Sequence, residues 1–252
     1  MVRGLELFRD SFAEFNDRYI LIGGTACDLI LSDAGLAFRA TKDLDVVLCI
    51  EMLDRAFGEA FWSFVTAGGY LQQQVSSESR KFYRFQKPTD KAYPEMIELF
   101  ARAPDALTIS DMSQLTPIPI DEDVSSLSAI LLDTDYNQWI QDGRIELDGV
   151  PVVRAEHLIA LKAKAWLDLS NRRAAGEHVD RRSIKKHKND VFRLVQVIDP
   201  DYEVAFPYSI RNDLQEFLDA IKLDPVDPKS LGIPSASFEA LLDVLKDQFG
   251  LD

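Results

Sequence analysis

The sequence predicts a mixed α+β fold, in which a small mixed β-sheet flanked by helices is followed by a mostly helical domain. Two observations support this prediction. Short β-prone runs alternate with helical spacings of apolar residues up to about residue 154, and from residue 155 onward only helical spacings remain, punctuated by prolines. We therefore predict two domains, residues 1–154 and residues 155–252.

The N-terminal elements follow from periodicity and turn residues. Apolar residues at helical spacing predict helices over 5–18, 26–32 and 51–67. Runs of β-prone residues predict strands over 19–22, 44–50, 70–75, 81–85 and 95–101, with a polar turn at 87–91 between the last two, and a strand or short helix over 127–132.

The second half begins with a hairpin signal. Asp148-Gly149 separates two β-prone runs, 144–147 and 150–153. Beyond it the spacing predicts helices over 155–169, about 183–198, 209–221 and 235–249.

Composition excludes several classes of protein. The two cysteines, Cys27 and Cys49, lie in apolar segments, and the three histidines form no zinc pattern, so we expect reduced core thiols and no structural zinc. No apolar run has the length of a membrane span, and the N-terminus lacks the apolar block of a signal peptide. We expect a cytoplasmic protein without a membrane partner.

Charge is unevenly distributed along the chain. A net charge of −14 argues against broad, nonspecific binding of nucleic acid. Residues 172–188 nevertheless carry seven basic side chains against two acidic ones. This basic stretch is either a solvated loop and helix face or a surface for a partner that presents a few phosphates.

Three carboxylates form the main candidate site. Asp43 and Asp45 share one face of a predicted strand, since side chains at i and i+2 point to the same side. Glu98 interrupts the apolar strand Met96–Phe100, where a buried charge needs a partner or a metal. If the two strands are neighbours, the three carboxylates suit a two-metal Mg²⁺ site for phosphoryl transfer.

A strand-to-helix turn precedes this cluster. Gly23 and Gly24 would let backbone N–H groups approach phosphate oxygens at a helix N-terminus, and Thr25 could add a hydroxyl contact. Arg39 could neutralise a phosphate, or pair with Asp28 or Asp43.

The wording of these segments resembles a known superfamily. Residues 22–26 (IGGTA) and 39–45 (RATKDLD) resemble the first motif of the DNA polymerase beta-like nucleotidyltransferases, and the closest similarity is to the AbiEii-type family of bacterial toxins. Residues 158–165 (LIALKAKA) and 188–194 (KNDVFRL) are similar to a later helical segment of that family. The resemblance covers about residues 15–200. The chain departs from the pattern at Glu98, where aspartate is common, and at Arg193, which replaces a second acidic residue.

The resemblance implies a function and further site residues. It implies an enzyme that moves a nucleoside monophosphate from a nucleoside triphosphate to a hydroxyl, with two Mg²⁺ ions for which Mn²⁺ could substitute. Lys162 would contact the triphosphate, and Asp190 would orient Lys162 or bind the nucleotide, unless it merely pairs with Lys186 four residues earlier. A tRNA end held by the basic stretch is a candidate acceptor, and an antitoxin protein is a candidate partner.

Two alternatives stay open at this point. Arg182 and His187 match the short Arg-x4-His pattern of metal-independent HEPN-type ribonucleases. The chain could also be a non-catalytic nucleotide-binding protein on the same fold, because fold does not determine function.

Overall fold

The computed structural model describes residues 2–49, 55–71, 82–100, 130, 133–203 and 205–252. It confirms the mixed α+β class, with a six-stranded mixed sheet and several helices. By compactness the chain divides into a first unit, Met1–Ile120 with Arg144–Val153, and a second unit, Asp121–Gly143 with Arg154–Asp252.

The first unit contains the whole sheet. Its strands are β1 (Tyr19–Ile22), β2 (Asp43–Leu48), β3 (Phe82–Gln86), β4 (Met96–Phe100), β5 (Arg144–Leu147) and β6 (Val150–Val153). They lie in the order β3-β4-β2-β1-β6-β5. The β2–β4 and β1–β6 pairs are parallel, and the other three pairs are antiparallel. The hairpin predicted around Asp148-Gly149 is confirmed, with Asp148 and Gly149 both at positive φ.

The described part of this unit also contains the helices α1 (Leu5–Phe12), α2 (Gly23–Asp33) and α3 (Arg55–Gly68). A 3₁₀ turn, Ala13–Phe15, ends the predicted first helix early. Rings from α1 and α3 form the core beside β1: Phe8 lies edge-on to Tyr19 and Phe64, with centroids 5.5 and 5.6 Å apart. Helix α2 packs on β1 and β2, so its first turn lies next to the strand that carries Asp43 and Asp45.

The second unit is helical throughout the part that the structure describes. Its helices are α4 (Thr134–Asp142), α5 (Ala155–Ala174), α6 (Arg181–Leu194), α7 (Tyr208–Ile221) and α8 (Phe238–Phe249), with 3₁₀ turns at Val195–Val197 and Pro228–Leu231. Helix α5 packs against α6 and α7 and forms the centre of the unit. Side chains of Asp180 and Ser237 cap α6 and α8.

Helix α4 was not predicted. Asp133 caps it by accepting from the backbone N–H groups of Asp135 and Tyr136, and Tyr136, Trp139 and Ile140 are its buried residues. That capping residue and helical spacing were legible in the sequence. The strand predicted over 70–75 and the strand or short helix predicted over 127–132 fall mostly outside the described residues, although Leu71 forms a single bridge with Gln86. No described helix has the length and apolar character needed to cross a membrane.

Candidate active site

Sheet register brings two of the three predicted carboxylates together. In the parallel β2–β4 pair, Asp45 lies opposite Glu98 and Asp43 lies opposite Met96. Asp43 and Asp45 are half-buried while Leu44 and Val46 are buried, as expected when alternate side chains of a strand point to opposite faces. The Asp45 carboxyl group lies close enough to that of Glu98 to raise its pKa.

Glu98 is buried against a cation that we did not single out from the sequence. Arg84 lies opposite it in the β3–β4 pair, and the Arg84 Nη2 and Nε atoms lie 2.5 and 2.6 Å from the same oxygen, Glu98 Oε1. Both residues are buried, at 8% and 5% exposure. Because both recorded contacts go to one oxygen, Arg84 holds Glu98 from one side while Asp45 meets its carboxyl group.

The pKa of Glu98 records this environment. Burial raises it well above its usual range, the neighbouring Asp45 carboxylate raises it further, and Arg84 lowers it. Two carboxyl groups in contact therefore share a site in which adding negative charge is unfavourable. That is the setting in which a bound cation or a shared proton becomes favourable.

The glycine pair makes room for the cluster. Gly23 begins α2 with φ +69°, and a Cβ added there would lie 1.6 Å from Asp45 Oδ2. A Cβ added at Gly24 would lie 2.6 Å from Thr41 Oγ1 and 3.5 Å from an Arg39 guanidinium nitrogen. The missing side chains thus let a carboxylate and a loop carrying Arg39 lie directly against the start of a helix.

The Thr25 side chain is hydrogen-bonded to the backbone in this structure. It is fully buried, and its hydroxyl donates to the carbonyl oxygen of Asp43 at 2.6 Å. This proton is therefore engaged in anchoring the first residue of β2. A phosphate contact of the hydroxyl stays a prediction. Arg39 is half-buried, with its guanidinium 4.9 Å from the centroid of the Phe38 ring.

Lys162 and Asp190 form a buried pair in the second unit. Lys162 Nζ lies 3.5 Å from Asp190 Oδ2, and Arg193 Nη1 lies 3.4 Å from Asp190 Oδ1. Asp190 is fully buried and Lys162 is 5% exposed. Asp190 thus orients Lys162, as one of our interpretations expected, and Arg193 serves as a second cation for Asp190.

The donor set matches a magnesium ion in chemistry. Mg²⁺ prefers carboxylate oxygens, and Asp45 and Glu98 present them in contact with each other. Within the described residues no group of three or more acidic, histidine or cysteine side chains lies close enough to hold a metal ion. The structure therefore supplies two adjoining ligands, with Asp43 following on the same strand face.

The basic stretch is partly used by the fold. Arg172 lies 2.8 Å from Glu177 and 3.7 Å from Asp168, and Lys188 is buried against Asp224. Arg182 is exposed and His187 half-buried, both on α6. The Arg-x4-His pattern thus lies on one helix.

Two further groups escaped the sequence analysis. Arg84 interrupts an apolar strand as Glu98 does, and applying the same reasoning would have found it. His157 gave no such signal. It is fully buried, stacks on Trp139 with centroids 3.7 Å apart, and has ring nitrogens 2.6 Å from the Trp139 carbonyl oxygen and 3.0 Å from the Tyr202 hydroxyl.

Comparison with known proteins adds little. No family model matches the chain, and no curated protein matches it. Among solved structures it is similar to JHP933 from Helicobacter pylori, with 15% sequence identity, coverage of 98% of this chain and 88% of that chain, and a TM-score of 0.42.

Proposed function

We propose that the protein is a Mg²⁺-dependent nucleotidyltransferase of the DNA polymerase beta-like superfamily, most similar to the AbiEii-type toxins. The observation that carries the proposal is the contact between the Asp45 and Glu98 carboxyl groups directly beside the Gly23-Gly24 turn. Acidic side chains and a phosphate-binding helix start are the two parts that metal-assisted phosphoryl transfer needs.

Stability alone gives no reason for this cluster. Like charges in contact and partly buried destabilise a fold, and one arginine offsets only part of the repulsion. A carboxyl group with a strongly raised pKa, such as that of Glu98, is typical of functional sites. The sheet register that forces Asp45 onto Glu98 is therefore best explained by the chemistry of the site.

The proposed reaction joins an acceptor hydroxyl to the α-phosphorus of a nucleoside triphosphate. A bond forms between the acceptor oxygen and the α-phosphorus, the bond to the β-phosphate oxygen breaks, and pyrophosphate and one proton are released. Mg²⁺ held by Asp43, Asp45 and Glu98 would supply charge neutralisation at the triphosphate and at the attacking oxygen, and Mn²⁺ could replace it.

The remaining residues would bind the triphosphate or position the carboxylates. The start of α2 at Gly23 and Gly24 would bind phosphate through backbone N–H groups, and Arg39 would neutralise negative charge nearby. Thr25 fixes the backbone of Asp43, and Arg84 fixes the side chain of Glu98. A triphosphate contact from Lys162, oriented by Asp190, rests on the family resemblance.

Acceptor and partners extend the proposal. A tRNA end bound by the basic stretch 172–188, an antitoxin protein and a cytoplasmic location all follow from the same resemblance.

A non-catalytic nucleotide-binding protein is the second candidate, and the Arg84 contact favours it. A guanidinium on Glu98 supplies a positive charge that a metal would otherwise supply. In that case the chain would bind Mg²⁺-nucleotide without turning it over.

The test is label transfer. Full-length protein is incubated with each α-labelled nucleoside triphosphate, total RNA and Mg²⁺ or Mn²⁺, and is compared with Asp45→Ala and with Asp33→Ala, an exposed control with the same change of charge. We expect transfer by the wild type and by Asp33→Ala, and none by Asp45→Ala or in EDTA. Equal labelling by wild type and Asp45→Ala would defeat the proposal.

The same samples separate the alternatives. RNA cleavage that persists in EDTA and is lost in His187→Ala would establish the ribonuclease. Nucleotide binding that requires Asp45 but never yields transfer would establish the non-catalytic protein.

A further inference from the structure

A basic cavity lies within the second unit, in the basic stretch 172–188 to which the proposed function assigns the acceptor. It has a volume of about 550 Å³ and is formed by α5, α6 and residues 224–230. This volume lies within the range of about 300–1,000 Å³ that small-molecule sites occupy. The cavity is large enough for a mononucleotide.

Positive charge dominates its lining. Arg173, Arg181, Lys185 and Lys188 contribute to the wall. Lys188 is matched by Asp224, to whose carbonyl oxygen it donates at 2.8 Å and with whose carboxylate it forms an ion pair.

The other acidic group at the cavity is hydrogen-bonded to the backbone. Asp227, also in the wall, accepts from the backbone N–H of Lys229 at 3.1 Å. Neither Arg181 nor Lys185 has an ion-pair partner among the residues that the structure describes, and both are exposed. The lining therefore has a surplus of cationic groups on a chain whose net charge is −14.

One wall residue carries an unsatisfied donor. Trp166 is 8% exposed, and its indole Nε1–H is buried without a hydrogen-bond partner among the described residues. An indole nitrogen can only donate, and leaving such a group buried and unpaired is unfavourable. Because this nitrogen is itself buried, the residue contributes its ring to the cavity wall.

The wall also has an apolar part. Ile184, Pro225 and Val226 line the cavity with the Trp166 ring, which is held edge-on by Phe217 at a centroid distance of 5.3 Å. A flat aromatic base and an anionic phosphate together match such a lining: apolar surface for one, guanidinium and ammonium groups for the other.

We propose that this cavity binds a nucleotide phosphate, carried either by a free mononucleotide or by the phosphorylated end of an RNA strand. Arg181 and Lys185 contact the phosphate, and Trp166 lies against the nucleoside. As a binding site the cavity stands independently of the reaction at Asp45; its use to hold an acceptor rests on the proposed function.

The test measures binding with the catalytic cluster silenced. AMP, adenosine and inorganic phosphate are titrated calorimetrically into full-length wild type and full-length Asp45→Ala, in EDTA. We expect both proteins to bind AMP alike, at least about tenfold more tightly than adenosine, and less tightly as salt rises. Equal affinities for AMP and adenosine, or loss of AMP binding in Asp45→Ala, would overturn the proposal.

Matched charge reversals locate the site. Arg181→Glu/Lys185→Glu should weaken AMP binding at least about tenfold. Arg182→Glu/Lys186→Glu changes the same net charge on the same helix outside the cavity lining, so affinity should stay within about twofold of the wild type. Equal losses in the two double variants would show nonspecific attraction and end the proposal.

Trp166→Phe provides a readout separate from charge. It removes the orphaned donor, so the ligand-free protein should unfold at the same or a higher temperature. It also leaves a smaller ring in the cavity wall, so AMP should bind several-fold more weakly. Unchanged AMP affinity would remove Trp166 from the site.

A competition experiment distinguishes the two sources of the phosphate. A 5′-phosphorylated oligoribonucleotide that outcompetes AMP, when its unphosphorylated counterpart does not, would assign the cavity to an RNA end. A higher affinity for AMP than for the phosphorylated oligoribonucleotide would assign it to the free nucleotide.

Discussion

The acidic cluster of the first unit and the Lys162–Asp190 pair of the second unit both bury carboxylates, yet their charge balance differs. Asp190 is fully buried between two cations, Lys162 and Arg193. Glu98 is buried between one cation, Arg84, and another carboxyl group, Asp45. A helical core can accommodate a buried carboxylate that is balanced by cations, whereas a like-charge contact needs an explanation outside stability.

Replacing Asp45 by Asn should separate function from stability most clearly. The amide keeps the shape of the side chain but removes a negative charge from beside Glu98. We expect label transfer to fall about 10³-fold or more, equivalent to about 4 kcal/mol, with a melting temperature equal to or above that of the wild type. A kinetic assay paired with thermal unfolding checks both, and a variant that unfolds easily while keeping its activity would refute the comparison.

Removing the carboxylate of the balanced pair should do the opposite. Asp190→Ala leaves Lys162 buried without its counterion, so we expect the free energy of unfolding to fall by about 3 kcal/mol or more. Urea unfolding measures this, with Asp219→Ala, an exposed aspartate of the second unit, as the control that changes little. If Asp190→Ala instead folds as stably as the wild type, the pair is not a structural element.

His157 adds a pH dependence to the second unit. Burial lowers its pKa from 6.5 to about 4, against a smaller opposing effect of the Trp139 carbonyl. The unfolded chain therefore binds this proton at a higher pH than the folded one, and His157 stabilises the fold above pH 6.5 but progressively less toward pH 4. Between pH 7 and pH 5 we expect the wild type to lose about 2 kcal/mol from this group.

Urea unfolding at the two pH values tests that expectation. His157→Gln should have lower stability at pH 7 but a smaller loss on acidification, while His178→Gln, an exposed histidine in the same unit, should follow the wild type. An identical acid-induced loss in His157→Gln and wild type would show that His157 is not the group responsible.

Gly23→Ala probes the smallest effect, through geometry alone. Its φ of +69° and the 1.6 Å approach to Asp45 Oδ2 mean that a methyl group adds backbone strain and displaces the carboxylate. We expect about 1 kcal/mol of lost stability together with a clear loss of label transfer. Gly35→Ala is the matched control, since Gly35 has φ +72° but nothing within 4 Å of an added Cβ; it should lose similar stability and keep activity.

Much of this architecture was predictable because its signals are local. The Asp148-Gly149 hairpin and the alternation around Leu44 depend on neighbouring residues only, and both are confirmed. Helix α4 was not predicted, although the capping residue Asp133 and the helical spacing of Tyr136, Trp139 and Ile140 indicate it. The division into compact units was not legible, because it depends on contacts between residues far apart in the chain.

The candidate site likewise has features that local patterns predict and features that they do not. That Asp43 and Asp45 share a face followed from strand periodicity, and that Glu98 needs a partner followed from its apolar surroundings. The partner itself, Arg84, did not follow, since it depends on which strand lies beside β4 and in what register.

The sequence by itself determined most of the strands and helices, the glycine turn and the presence of carboxylates on one strand face, because each follows from the conformational preferences of adjacent residues. Only the tertiary structure decided that Asp45 meets Glu98, that Arg84 holds Glu98, that Asp190 holds Lys162 and that Trp166 lines a basic cavity. These contacts join residues far apart in the chain, and their formation depends on strand register and helix packing, which no local pattern encodes.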